Sequence, residues 1–182
     1  MPHRISVYMH DKELLRSSNS AKLICSVYET ASLFVRNVAA DEERLKAGME
    51  PQIDDPAMFV LYPHEKAPTV SAVSDPKRPT DCADGHFSRL QFAEYAATHN
   101  LLDGVGGKCV RPMHVVIVDG TWSNASSLRR SLPFQDRLRF VKLSDDTARN
   151  VPDFCRNKTR ADGICTAEAL GFLLHVRSCA LL

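Results

Sequence analysis

The run Val115-Val116-Ile117-Val118 ends abruptly on Asp119-Gly120-Thr121-Trp122-Ser123, which contains the only tryptophan of the chain. Consecutive β-branched apolar residues read as a buried strand, the pattern expected in a parallel sheet covered on both faces. Parallel strands need crossover connections, normally helices, so this feature already favours an α/β architecture. A carboxylate where such a strand stops lies where open α/β sheets bind ligands.

The rest of the sequence supplies the alternation. Ile5 to Met9 reads as a buried strand, Ser32 to Val35 as a second, Ala57 to Tyr62 as a third stopped by Pro63, Met113 to Val118 as a fourth and Leu138 to Leu143 as a fifth. Asn19 is placed to cap a helix from Ala21 to Glu29, with Leu23, Ile24 and Val27 on one face. Asp41 to Met49 reads as an acidic surface helix, and Ser123 or Asn124 as the cap of a helix reaching Ser131. Thr166 opens a last helix with the stripe Ala167, Leu170, Leu173 and Leu174. His64 to Asp84 contains Pro68, Pro76 and Pro79 and reads as a long loop, followed by a helix over 87–99. The expectation is a single α/β domain over residues 1–182, with a mostly parallel sheet flanked by helices and a long insertion at 64–112.

A net charge of +1 gives no global reason to expect a nucleic-acid partner, but residues Thr121 to Arg160 carry +5 and the remainder −4. That basic segment suits an anionic substrate such as RNA, or is a solvated surface. Six cysteines without a CxxC pair read as reduced thiols rather than a metal knuckle. The N-terminus has no secretory pattern and no stretch is long enough to span a membrane, so the cytoplasm or the nucleus is expected. Cys82 with His86, the Gly-rich Asp103 to Gly107 and His64-Glu65 each lack the further residues that a metal site, a phosphate loop or a zinc protease needs.

Four ordered stretches fit one pattern. Asp119-Gly120-Thr121-Trp122, followed by Ser123-Asn124-Ala125, resembles the Asp-x-Thr-Trp signature of the DTW-domain family. Val60-Leu61-Tyr62-Pro63 with Ala67 resembles its Leu-Tyr-Pro segment, and Asn19-Ser20-Ala21-Lys22-Leu23 its Asn-Thr-x-x-Leu helix start. Arg156 stands ten positions before Thr166, and Ile164-Cys165-Thr166-Ala167-Glu168-Ala169 resembles Leu-Ser-Thr-Leu-Glu-Ala. The resemblance implies a tRNA-uridine aminocarboxypropyltransferase with a SPOUT-like fold and a C-terminal trefoil knot. Its donor substrate would be S-adenosylmethionine and its acceptor the N3 of a uridine in tRNA. Two other readings stay open: a SPOUT-type methyltransferase using the same cofactor, and a non-catalytic RNA-binding module.

On that resemblance each matched residue has a functional and a structural reading. Asp119 is either the base for the uracil N3 proton or an Asx-turn residue shaping the strand-to-helix bend. Thr121 either orients Asp119 or caps the next helix, and Arg156 pairs with the methionyl carboxylate or an RNA phosphate, or lies on the surface. Leu61, Tyr62, Pro63, Val118, Gly120, Ile164, Cys165, Thr166 and Glu168 form the expected cofactor pocket; Pro63 is also a strand terminator, and Glu168 either holds the ammonium group or stabilises the first helical turn. Trp122, Arg129, Arg130, Lys158 and Arg160 are the expected RNA contacts, with Trp122 alternatively a core anchor. The cysteine-rich N-terminal segment of many family members is absent, so no metal is expected, and the oligomeric state is monomer or homodimer.

Overall fold

The computed structural model of the protein describes residues 3–17, 19–62, 69–70, 111–143 and 165–179. Strands β1 (Arg4–Met9), β2 (Ala31–Val35), β3 (Met58–Leu61), β5 (His114–Asp119) and β6 (Phe140–Leu143) form a parallel sheet in the order β2-β1-β5-β3-β6, and the two-residue β4 (Thr69–Val70) adds beyond β6. The helices are α1 (Ala21–Val27), α2 (Ala39–Met49), α3 (Trp122–Ser131) and α4 (Thr166–Cys179). β4 falls within the segment read from sequence as loop, because two residues are too few to show a period. The helix expected over 87–99 and the chain path 144–164 on which a knot depends lie outside the described residues.

The two-residue period of the strands sorts their side chains into two cores. On one face Ile5, Val7, Met9, Phe59, Leu61, Val115 and Ile117 pack with Ala21 and Ile24 of α1 and Leu170 and Leu173 of α4. On the other, Tyr8, Phe34, Met58, Val60 and Val116 pack with Leu45 and Met49 of α2, Leu128 of α3 and Leu132 just after it. Both faces are therefore covered, which is why β5 reads as an unbroken apolar run. Helix α1 is rotated from the sequence expectation: Ile24 is buried, but Leu23 and Val27 are 54% and 72% exposed. Its buried stripe is Ala21 and Ile24 with partly buried Cys25, spaced three and four residues apart, so Leu23 and Val27 fall to the side.

Connections set the position of the candidate site. From β1 the chain leaves through α1 toward β2, whereas from β5 it leaves through α3 in the opposite direction, past β3 to β6. β1 and β5 are neighbours, with Met9 in register with Asp119. Their carboxyl ends form the topological switch point, the place where open α/β sheets usually bind ligands.

Candidate active site

Asp119 is the last residue of β5 and is only 5% exposed. It shares the parity of Val115 and Ile117, so its side chain belongs to the face covered by α1 and α4. Both of those helices begin at it. The Asn19 amide donates from Nδ2 to Asp119 Oδ2 at 2.7 Å, and the Thr166 hydroxyl donates to Oδ1. The main chain closes the same seam, with the His10 N–H donating to the Asp119 carbonyl at 3.1 Å.

Asn19 has a second function at its helix start, and a cap beside Thr166 fixes the other helix start. Asn19 Oδ1 accepts from the N–H groups of Ala21 and Lys22 at 2.8 and 3.3 Å, so one side chain caps α1 and binds the carboxylate. At α4, Glu168 Oε2 accepts from the Cys165 N–H at 2.7 Å while the Glu168 N–H donates to Cys165 Sγ at 3.4 Å. This is a reciprocal capping box with sulfur in the place of the usual hydroxyl. Glu168 thus has the helix-stabilising part of its two sequence readings, and Thr166, one residue into the helix, is held facing Asp119.

The Asp-Gly-Thr turn is shaped by the close approach of α3. A Cβ on Gly120 would stand 3.2 Å from Asn124 Cβ and 3.4 Å from Leu128 Cδ1, a tight fit that a larger residue meets only if α3 gives by a few tenths of an ångström. Thr121, rather than Ser123 or Asn124, is the cap of α3: its hydroxyl accepts from the Asn124 N–H at 3.4 Å and contacts Ser123 Oγ at 3.3 Å. Capping commits that hydroxyl locally, and the hydroxyl that orients Asp119 comes from Thr166 instead.

The four stretches converge on this edge of the sheet. The chain belongs to the DTW-domain family. Its family model matches residues 1–179, nearly the whole chain, under the description DTW domain. No curated protein and no solved structure matches the chain.

In this DTW domain the expected pocket residues divide between the two faces. Leu61 is 6% exposed inside the core, because its parity points it at α1 and α4. Val118 and Tyr62 pack on the opposite face, under α3. There the Arg129 guanidinium lies 6.0 Å from the Tyr62 ring centre and 5.7 Å from that of Phe140, and the two rings meet edge to face at 6.4 Å. Arg129 and Tyr62, assigned from sequence to RNA and cofactor, are therefore neighbours of each other. Arg130 is exposed. Arg137 pairs with Asp54, and Arg139 donates to the carbonyls of Ile53, Asp54 and Asp55, so two charges of the basic segment are used to fasten the loop before β3.

Pro63, Arg156, Lys158, Arg160 and Ile164 lie outside the described residues, as does the Trp122 side chain. Sequence reasoning missed Glu13, a carboxylate only 6% exposed on the β1-to-α1 connection. The signal available for it was an acidic residue just after a buried strand on the loop that leads to Asn19. No described helix is long and apolar enough to cross a membrane.

Proposed function

We propose that this DTW domain transfers the 3-amino-3-carboxypropyl group of S-adenosylmethionine to N3 of a uridine in tRNA, at the carboxyl ends of β1 and β5. Family membership is consistent with a role in tRNA modification. The observation that carries the reading is the joining of Asn19, Asp119 and Thr166, which belong to three of the four family-like stretches and are 100 and 47 residues apart in sequence. The proposal includes a SPOUT-like fold knotted in its C-terminal segment, and tRNA contacts from Arg129, Arg130 and the basic residues near Arg156.

S-adenosylmethionine supplies an alkyl group already activated by its sulfonium. Direct displacement, in which the uridine N3 attacks the carbon beside the sulfonium, that C–S bond breaks and methylthioadenosine leaves, asks the protein for alignment rather than for a covalent nucleophile. Asp119 meets that demand by fixing the starts of α1 and α4 against β5, since a buried carboxylate with two donors holds its geometry. Each carboxylate oxygen accepts more than one hydrogen bond, so Asp119 keeps lone pairs with which to take the uracil N3 proton.

Asp119→Asn separates anchoring from proton transfer. An asparagine here can accept from Asn19 and donate to the Thr166 hydroxyl, which reverses its role, so both hydrogen bonds survive without the charge. The expected result is a protein of near-normal melting temperature whose transfer rate is lower by roughly a hundredfold or more. An unchanged rate removes the base from the mechanism. The reaction itself is tested by mass spectrometry of uridine nucleosides after incubation with tRNA and S-adenosylmethionine. Gain of the aminocarboxypropyl mass supports the proposal, gain of a methyl mass replaces it with a methyltransferase, and no gain with tRNA bound leaves a binding module.

A further inference from the structure

The loop from β1 to α1 is tied to Asp119 at both ends, through the His10 N–H and the Asn19 amide. Between these ties stands Glu13, whose N–H donates to the His10 carbonyl at 2.9 Å and whose carbonyl accepts from the Arg16 N–H at 3.1 Å. Its side chain is 8% exposed, and its Oε1 is buried without a hydrogen bond, alone in this among the described side-chain polar atoms. The Arg16 guanidinium lies 3.3 Å from that oxygen, near enough for charge attraction but out of line for a hydrogen bond, and the Arg16 side chain is 53% exposed. Buried acceptors are nearly always satisfied, so an unmet carboxylate oxygen at the ligand-binding edge of a parallel sheet calls for a missing donor.

The pair has the polarity of a receptor for a zwitterion. Glu13 offers a desolvated negative oxygen that lacks a donor, and Arg16 offers a solvent-facing fork suited to a carboxylate. An α-amino acid terminus carries both complements two bonds apart: an ammonium with three donors and a carboxylate with two acceptors. Resting on the donor substrate proposed above, we infer that Glu13 and Arg16 bind the α-ammonium and α-carboxylate of the aminocarboxypropyl group, and so select a donor bearing an intact amino acid end. The ammonium takes the place Arg16 holds beside Glu13 Oε1, and the freed guanidinium swings onto the carboxylate. Lys22 does not compete for this position, because its Nζ donates to the carbonyls of Leu14 and Arg16 at 2.5 and 3.2 Å.

Calorimetric titration of the full chain with three ligands tests the assignment. S-adenosylmethionine carries both charged groups, its decarboxylated analogue only the amine, and methylthioadenosine neither. Glu13→Gln is expected to weaken the first two by roughly tenfold or more, the scale of one charge-assisted hydrogen bond, and to leave methylthioadenosine unchanged. Arg16→Gln is expected to weaken S-adenosylmethionine by a similar factor and to spare the decarboxylated analogue. The assignment is overturned if both variants bind S-adenosylmethionine like the parent, if Glu13→Gln weakens methylthioadenosine equally, or if the parent binds S-adenosylmethionine no better than methylthioadenosine. Should the parent bind none of the three, the proposed donor fails first, and the role of Glu13 and Arg16 with it.

Discussion

Asp119 brings a carboxylate into a place with almost no water, and two side chains replace the solvent it has lost. Their contributions differ because only Asn19 has a second duty, as the cap of α1. Thr166→Val removes one donor from a buried carboxylate while keeping the side-chain shape, at an expected cost of about 1–3 kcal/mol. Asn19→Ala removes a donor and the cap of α1 together, so about 2–4 kcal/mol is expected. Thermal or urea denaturation of the two variants gives the order: a larger loss for Thr166→Val than for Asn19→Ala contradicts the double role of Asn19. Oδ1 of Asn19 faces its own helix and Nδ2 faces the strand, which is why an aspartate at position 19 would keep the cap and lose the link.

At the scale of elements, the opposite end of the sheet carries a different polar contact. His114 opens β5 and is 2% exposed, with its Nε2 2.8 Å from the Ser6 hydroxyl on β1 and its Nδ1 3.0 Å from Gln52 Oε1 after α2. Burial, reinforced by the nearby Arg4 charge, pushes its pKa down from 6.5 to about 4. The folded protein therefore resists a proton that the unfolded chain accepts near pH 6.5. This contribution is complete above that value and is lost as the pH falls toward 4, amounting to about 3 kcal/mol over the window. Denaturation midpoints measured between pH 7 and pH 4 are expected to fall along that course, and His114→Asn to flatten the slope while lowering stability throughout. An equal slope in the variant would assign the acid sensitivity elsewhere. Asp119 and His114 are the two ends of the same strand, so β5 carries the candidate site at one end and a pH-sensitive fastening at the other.

For the whole molecule, the distribution of charge matters more than the total of +1. The basic segment is divided by the fold: Arg137 and Arg139 hold the loop at residues 53–55, Arg129 lies over aromatic rings, and Arg130 faces solvent. If tRNA is the partner, Arg130→Ala is expected to reduce the slope of log affinity against log salt by roughly 0.7–0.9, the signature of one lost phosphate contact. Arg139→Ala is expected to lower the melting temperature and leave that slope nearly unchanged. Filter-binding titrations at several salt concentrations, together with melting curves, separate these outcomes. A reduced slope for Arg139→Ala alone would invert the division.

Much of this molecule could be read along the chain, because the informative quantities were local. The apolar run of β5, the Pro63 stop, the helix start at Thr166 and the Asn19 cap each depend on neighbours within a few residues, and together they specify a parallel sheet with helices on both faces. The short strand β4, the rotation of α1 and the choice of Thr121 over Ser123 as cap were not legible, since each turns on packing or on competition between adjacent hydroxyls. The candidate site was legible only in part: Asp119 and Thr166 were expected in it, whereas Asn19 was read as a helix cap. Sequence identified Asn19, Asp119 and Thr166 separately, and the order of the strands made them one unit. Parity along β5 aims Asp119 at α1 and α4, the reversal of connections at β1 and β5 puts it at the switch point, and among the described residues its carboxylate is held by those two helix starts. Glu13 shows the same dependence, because its unmet hydrogen bond exists only after folding has removed the water around it.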